Sequence, residues 1–117
     1  MARELIFYKD YFLDFYFKQN KKTQEKIDYV FDLIRNVEKV PVKFLKHIEG
    51  SGGIYEIRIE SFGNTYRVLC FFDSGNLIVL LNIFQKKTNR IPKKEIEISN
   101  RLKKEYLESK EKQHEKK

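Results

Sequence analysis

Only one cysteine, Cys70, occurs in the 117 residues. No intramolecular disulfide and no multi-cysteine metal site can form, and a reducing compartment fits best. Histidine is nearly as scarce. His47 and His114 are the only two, and His114 lies in a polar C-terminal stretch, so a two-histidine metal site is not expected. No run approaches the roughly 18 to 20 apolar residues needed to cross a bilayer. The N-terminus reaches Asp10 and Asp14 without the apolar core of a signal peptide, so a cytoplasmic protein with no membrane association is expected. HExxH, CxxC, GxSxG, the P-loop and a GxGxxG after a strand are all missing, which closes the common metal and cofactor routes.

What is present is a charged but foldable chain. Apolar residues make up 41% and aromatics 15%, enough for one core at this length and too little for two ordinary domains. The 24 Lys and Arg against 17 Asp and Glu give a net charge of +7, a field that draws in polyanions or an acidic partner. Charge alone does not choose between them.

The hydrophobic pattern gives the element order. Leu5 to Tyr8 reads as a strand, and Tyr11, Phe12, Phe15 and Tyr16 recur at helical spacing. Thr23 is placed to cap a second helix carrying Ile27, Val30, Phe31, Ile34 and Val37, which Pro41 ends. The two helices form a hairpin. Residues 42–53 read as a connection ending in Gly50-Ser51-Gly52-Gly53, after which the period becomes two. Ile54 to Glu60, Thr65 to Phe72 and Leu77 to Phe84 read as an antiparallel three-strand meander, with Phe62-Gly63-Asn64 and Asp73-Ser74-Gly75-Asn76 as its turns. Pro92 opens a last helix with Ile98, Leu102 and Tyr106 on one seam. The expectation is an α+β domain over 1–107, with helices on one side of the sheet, and a charged tail over 108–117 that frays.

The polar face of that sheet carries the candidate chemistry. With Gly63-Asn64 as a two-residue turn, Glu60 faces Arg67 and Arg58 faces Leu69, so Arg58 and Arg67 share a face. A Ser74-Gly75 turn pairs Arg67 with Asn82 and brings Lys86 to the same side. A one-residue bulge would separate them. Arg67 stands among Tyr66, Val68, Leu69 and Cys70, where an arginine is costly without a task or a partner. A salt bridge to Glu60 or Glu56 is the plainer account, and Lys86-Lys87 can equally be edge lysines that oppose aggregation. Cys70 reads as an inert buried thiol and His47 as a surface or packing residue.

Gly53-Ile54-Tyr55-Glu56-Ile57-Arg58, Tyr66-Arg67-Val68-Leu69 with Phe71-Phe72, Phe84-Gln85-Lys86-Lys87-Thr88 and Pro92-Lys93-Lys94-Glu95-Ile96 occur in an order and spacing that resembles the HigB-like, phage-associated (Gp49-like) branch of the RelE/ParE toxin superfamily. The resemblance spans most of residues 3–107 and implies a RelE-like fold. It also implies the toxin of a type II toxin–antitoxin system, an endoribonuclease that cuts mRNA on the ribosome by 2′-hydroxyl attack and needs no cofactor or metal. Its partner would be an antitoxin with a helix-turn-helix domain.

By this analogy Arg58 and Arg67 bind the phosphate, and Lys86 or Lys87 neutralises it or assists proton transfer. Lys43, Lys46 and Arg90 join these four as the RNA-binding set. Glu56 is either a proton acceptor or the structural partner of the arginines, the second being favoured. The chain departs from the RelE pattern, which has a lysine where Glu56 stands and a tyrosine soon after the strand-end cation. It also lacks the histidine-rich strand end of one HigB type, reading Asn82-Ile83-Phe84-Gln85-Lys86-Lys87 instead. Two alternatives share part of this reading: a ParE-like inhibitor of DNA gyrase, and a non-catalytic RNA-binding module.

Overall fold

The computed structural model describes residues 2–86 and 90–115. Its elements are β1 (Glu4–Phe7), α1 (Tyr11–Lys18), α2 (Lys21–Asn36), β2 (Leu45–His47), β3 (Tyr55–Ser61), β4 (Asn64–Ser74), β5 (Leu77–Gln85) and α3 (Lys93–Glu115). The helical hairpin is as expected, but its capping residue is not Thr23. Asn20 caps α2 instead, its side chain accepting the Thr23 N–H at 2.8 Å. Thr23 is a buried residue of the first turn, its hydroxyl 3.1 Å from that of Ser61. Asparagine is the stronger cap, so the helix begins earlier.

The five strands form one mixed sheet in the order β1-β5-β4-β3-β2. The meander β3-β4-β5 is its centre. β1 lies parallel to β5, and β2 pairs antiparallel with β3 from inside the stretch expected to be a plain connection. The register within the meander corrects the expected one. Arg58 pairs directly with Arg67 and Ser61 with Asn64, so the turn is Phe62-Gly63. Both turn residues have positive φ, 51° and 78°, as a tight hairpin turn of the primed type requires. Arg67 pairs with Phe84, not Asn82, and the β4–β5 register shifts between Leu69 and Cys70 and between Phe72 and Ser74.

Helices cover both faces of the sheet, not one. α1 and α2 pack Phe12, Ile27, Val30, Phe31 and Ile34 against Ile57, Ile59, Val68, Cys70, Ile78 and Leu80. On the other face α3 sets Leu102 against Ile54, Leu69, Phe71, Val79 and Leu81. Strands apolar on both faces need two covers, which is why β4 and β5 read as nearly continuous apolar runs.

The helix also runs past Leu107, where the domain was expected to give way to a fraying tail. Residues 108–115 continue α3. The tail has no apolar seam, but Lys110 Nζ reaches Asp73 at 2.8 Å and Tyr106 Oη donates to the same carboxylate at 2.9 Å. No described helix is long and apolar enough to cross a membrane.

Candidate functional site

α3 covers the β4–β5 part of its face, and beside the covered area that face turns polar. Strand alternation places Glu56, Arg58 and Glu60 of β3 on the same side as Arg67 and Leu69 of β4. Lys86 follows β5, its N–H donating to the Thr65 carbonyl at 2.7 Å, which fixes it beside the start of β4. A cavity of about 910 Å³ opens there. Its lining includes Lys43, Lys46, Arg58, Arg67, Lys86 and Arg90, so six of the seven residues expected to contact RNA border one space. Lys87 lies outside the described residues.

Arg58 and Arg67 are direct cross-strand partners, which brings two like charges to within roughly 5 Å at Cβ and is unfavourable unless each is compensated. Each is. Arg58 Nη2 lies 3.0 Å from Glu60 Oε1, and Arg67 Nη1 lies 3.1 Å from Glu56 Oε2. The pairs differ in burial. Arg67 is only 6% exposed and Glu56 8%, so theirs is a buried ion pair, whereas the Arg58–Glu60 pair reaches solvent. The plainer expectation for Arg67, a salt bridge to Glu56, is therefore realised.

The compensation is incomplete in a way that matters chemically. Arg58 Nε and Arg67 Nε are both buried without a hydrogen-bond partner, and Glu56 Oε2 touches Arg67 in ionic contact but not in hydrogen-bond alignment. An unsatisfied buried donor costs about 1–3 kcal/mol, and both Nε atoms lie beneath the accessible surface. Two adjacent guanidinium groups that share one cavity with Lys43, Lys46, Lys86 and Arg90 make a cation cluster whose chemistry suits a tetrahedral oxyanion.

Sequence reasoning missed part of the wall. Val42, Ile48, Ile91 and Ile96 add apolar side chains to the cavity lining, and Glu49 adds a second carboxylate beside Glu56. Val42, Ile48, Glu49 and Ile91 fall in connections without clear periodicity, and Ile96 lies in the first turn of α3, off its Ile98-Leu102-Tyr106 seam. β2 could have been found only from the three residues Leu45-Lys46-His47, too short a run to register as alternation. His47 borders the cavity, yet its ring packs edge-on against Tyr55 at 5.1 Å, in keeping with a packing role. Cys70 is fully buried, and burial pushes its thiol well above the ordinary range, which leaves it inert at neutral pH. Among the described residues no cluster of three or more His, Cys, Asp or Glu could hold a metal ion.

A model of the family described as phage derived protein Gp49-like matches residues 14–104. Among solved structures, the chain is similar to the free state of a double arginine-to-alanine mutant of the E. coli toxin RelE. That similarity has a TM-score of 0.58 at 15% identity and covers 85% of this chain and 94% of the other. No curated protein matches the chain in sequence.

Proposed function

The chain belongs to the phage-derived Gp49-like family and has a RelE-like fold, and from that premise we propose that it is a toxin acting as an endoribonuclease on mRNA in the ribosome. The observation that carries this reading is the Arg58–Arg67 pair, two side chains in direct register that line one cavity with Lys43, Lys46, Lys86 and Arg90. A phosphodiester is the anion such a pair suits.

In the proposed reaction the ribose 2′-oxygen bonds to the adjacent phosphorus while the bond to the 5′-oxygen breaks. The products are a 2′,3′-cyclic phosphate and a 5′-hydroxyl. The 2′-hydroxyl gives up a proton and the leaving oxygen takes one, so overall charge balances. Negative charge grows on the non-bridging oxygens in between, and Arg58 and Arg67 are aligned to hold them. Lys86 adds charge at the cavity, and Lys43, Lys46 and Arg90 grip the flanking backbone. Glu56 keeps Arg67 in place. If it took the proton, Arg67 would be left buried beside a neutral acid, so its structural role fits better.

The proposed partner is an antitoxin with a helix-turn-helix domain that lays an acidic segment over the cavity, making its binding and RNA binding competitive. The test is chemical. Message recovered from translating ribosomes exposed to the protein is expected to carry 2′,3′-cyclic phosphate and 5′-hydroxyl ends. Intact message together with arrested DNA supercoiling would assign the fold to a gyrase inhibitor instead.

A further inference from the structure

Phe62 occupies a position that neither the turn nor the core explains. It is the first central residue of the β3–β4 turn at φ 51°, a left-handed conformation that Asn, Asp or Gly adopts cheaply and a bulky residue does not. It also remains 69% exposed, so it gains little from burial in return. Strain of this kind, held at an exposed tip, is found where a side chain is needed for contact with something else.

The surroundings indicate what that is. Lys22 Nζ sits 6.0 Å from the centre of the Phe62 ring, and the Thr23–Ser61 contact ties the start of α2 to the residue before the turn. Lys21 and Lys18 belong to the same α1–α2 corner, where Phe17 is 72% exposed. A second aromatic–lysine pair, Tyr29 under Lys26 at 5.2 Å, follows along α2, with Tyr29 54% exposed. Exposed rings flanked by ammonium groups are the chemistry of single-stranded nucleic-acid binding, in which rings stack on bases and lysines hold the neighbouring phosphates.

We propose that Phe62 and Lys22 form a base-stacking subsite for single-stranded RNA at the hairpin tip, outside the cavity. The inference rests on the reading that the substrate is RNA and adds a second point of contact. Three residues of β3 separate Arg58 from Phe62, about 13 Å along the strand, and because Arg58 faces the α3 side while Lys22 approaches from the α1–α2 side, an RNA segment that contacts both passes around the hairpin tip.

The test is the affinity of a fluorescently labelled single-stranded oligoribonucleotide of about 12 nucleotides for wild type, Phe62→Asn and Phe62→Tyr, with the Tm of each. Phe62→Asn removes the ring and suits the turn, so the Tm is expected to hold or rise while affinity falls by about fivefold or more. Phe62→Tyr is expected to keep wild-type affinity. Equal binding by all three, equal loss in both variants, no measurable binding by wild type, or equally tight binding of poly-glutamate would each overturn the proposal. Cleavage of ribosome-bound message is read separately. Cutting by wild type combined with any of those binding results would remove this subsite and leave the nuclease reading standing.

Discussion

Arg58 and Arg67 face each other across adjacent strands, each held by its own glutamate and each with its Nε left unpartnered. Two positive charges in direct register are a standing cost to the fold. The Arg67–Glu56 pair is buried, whereas the Arg58–Glu60 pair reaches solvent.

The two arginines should therefore respond differently to substitution. Removing Arg67 strands Glu56 as a buried lone charge, and Arg67→Ala is expected to lose about 3–5 kcal/mol in urea unfolding. Arg67→Ala with Glu56→Gln should recover a substantial part of that loss. If the single and double variants are equally unstable, the buried pair is not what holds this part of the sheet.

α3 is anchored by one fully buried leucine. Leu102→Ala should cost about 2–5 kcal/mol by chemical denaturation, because Leu102 is wholly enclosed by Ile54, Leu69, Phe71, Val79 and Leu81. A loss below 1 kcal/mol would mean that α3 is not stably docked.

Asp73 links acid stability to the same helix. The Lys110 ammonium, and after it the Tyr106 hydroxyl, hold its carboxyl below the ordinary value of 3.8 despite the opposing effect of burial. A depressed carboxyl contributes stability that is fully present above its unfolded value and is lost as pH falls through the lower folded one. Asp73→Asn should therefore flatten the decline in Tm below about pH 4, and Lys110→Met should shrink it. Unchanged acid limbs in both variants would contradict the linkage.

The α2 cap offers a smaller check on the helical hairpin. Asn20→Ala should cost about 1 kcal/mol, measured as a shift in the urea midpoint, and Asn20→Asp much less. Equal losses in the two variants would mean that the side-chain oxygen is not what caps the helix.

How far the sequence reveals these features depends on which physical signal carries each one. Arg58 and Arg67 are legible as same-face residues because an even change of register preserves which side a residue faces, so misplacing the turn by one residue did not separate them. Their direct opposition was not legible. It depends on Phe62 adopting positive φ, which turn preferences argue against. The Tyr66–Phe72 run is apolar on both faces and needs two covers, but the single modest seam of α3 does not register as one of them, so the pattern predicts helices on one side only. The extension of α3 through Glu115 rests partly on Asp73, 37 residues away from Lys110, and no local pattern reports a contact of that range. Six of the expected RNA-binding residues border one cavity, whereas Val42, Ile48, Glu49 and Ile91 of its lining come from connections that periodicity does not describe.

Arg58 is the more exposed member of the pair, and its ion pair with Glu60 is worth no more than about 1 kcal/mol, so Arg58→Ala should leave the fold intact. The most direct measurement is primer extension on mRNA translated in the presence of wild type or Arg58→Ala. Discrete cuts with wild type, reduced about 10²- to 10³-fold in a variant of unchanged Tm, are the predicted result. Full-length message with wild type, or the same cuts at the same rate with Arg58→Ala, would contradict it.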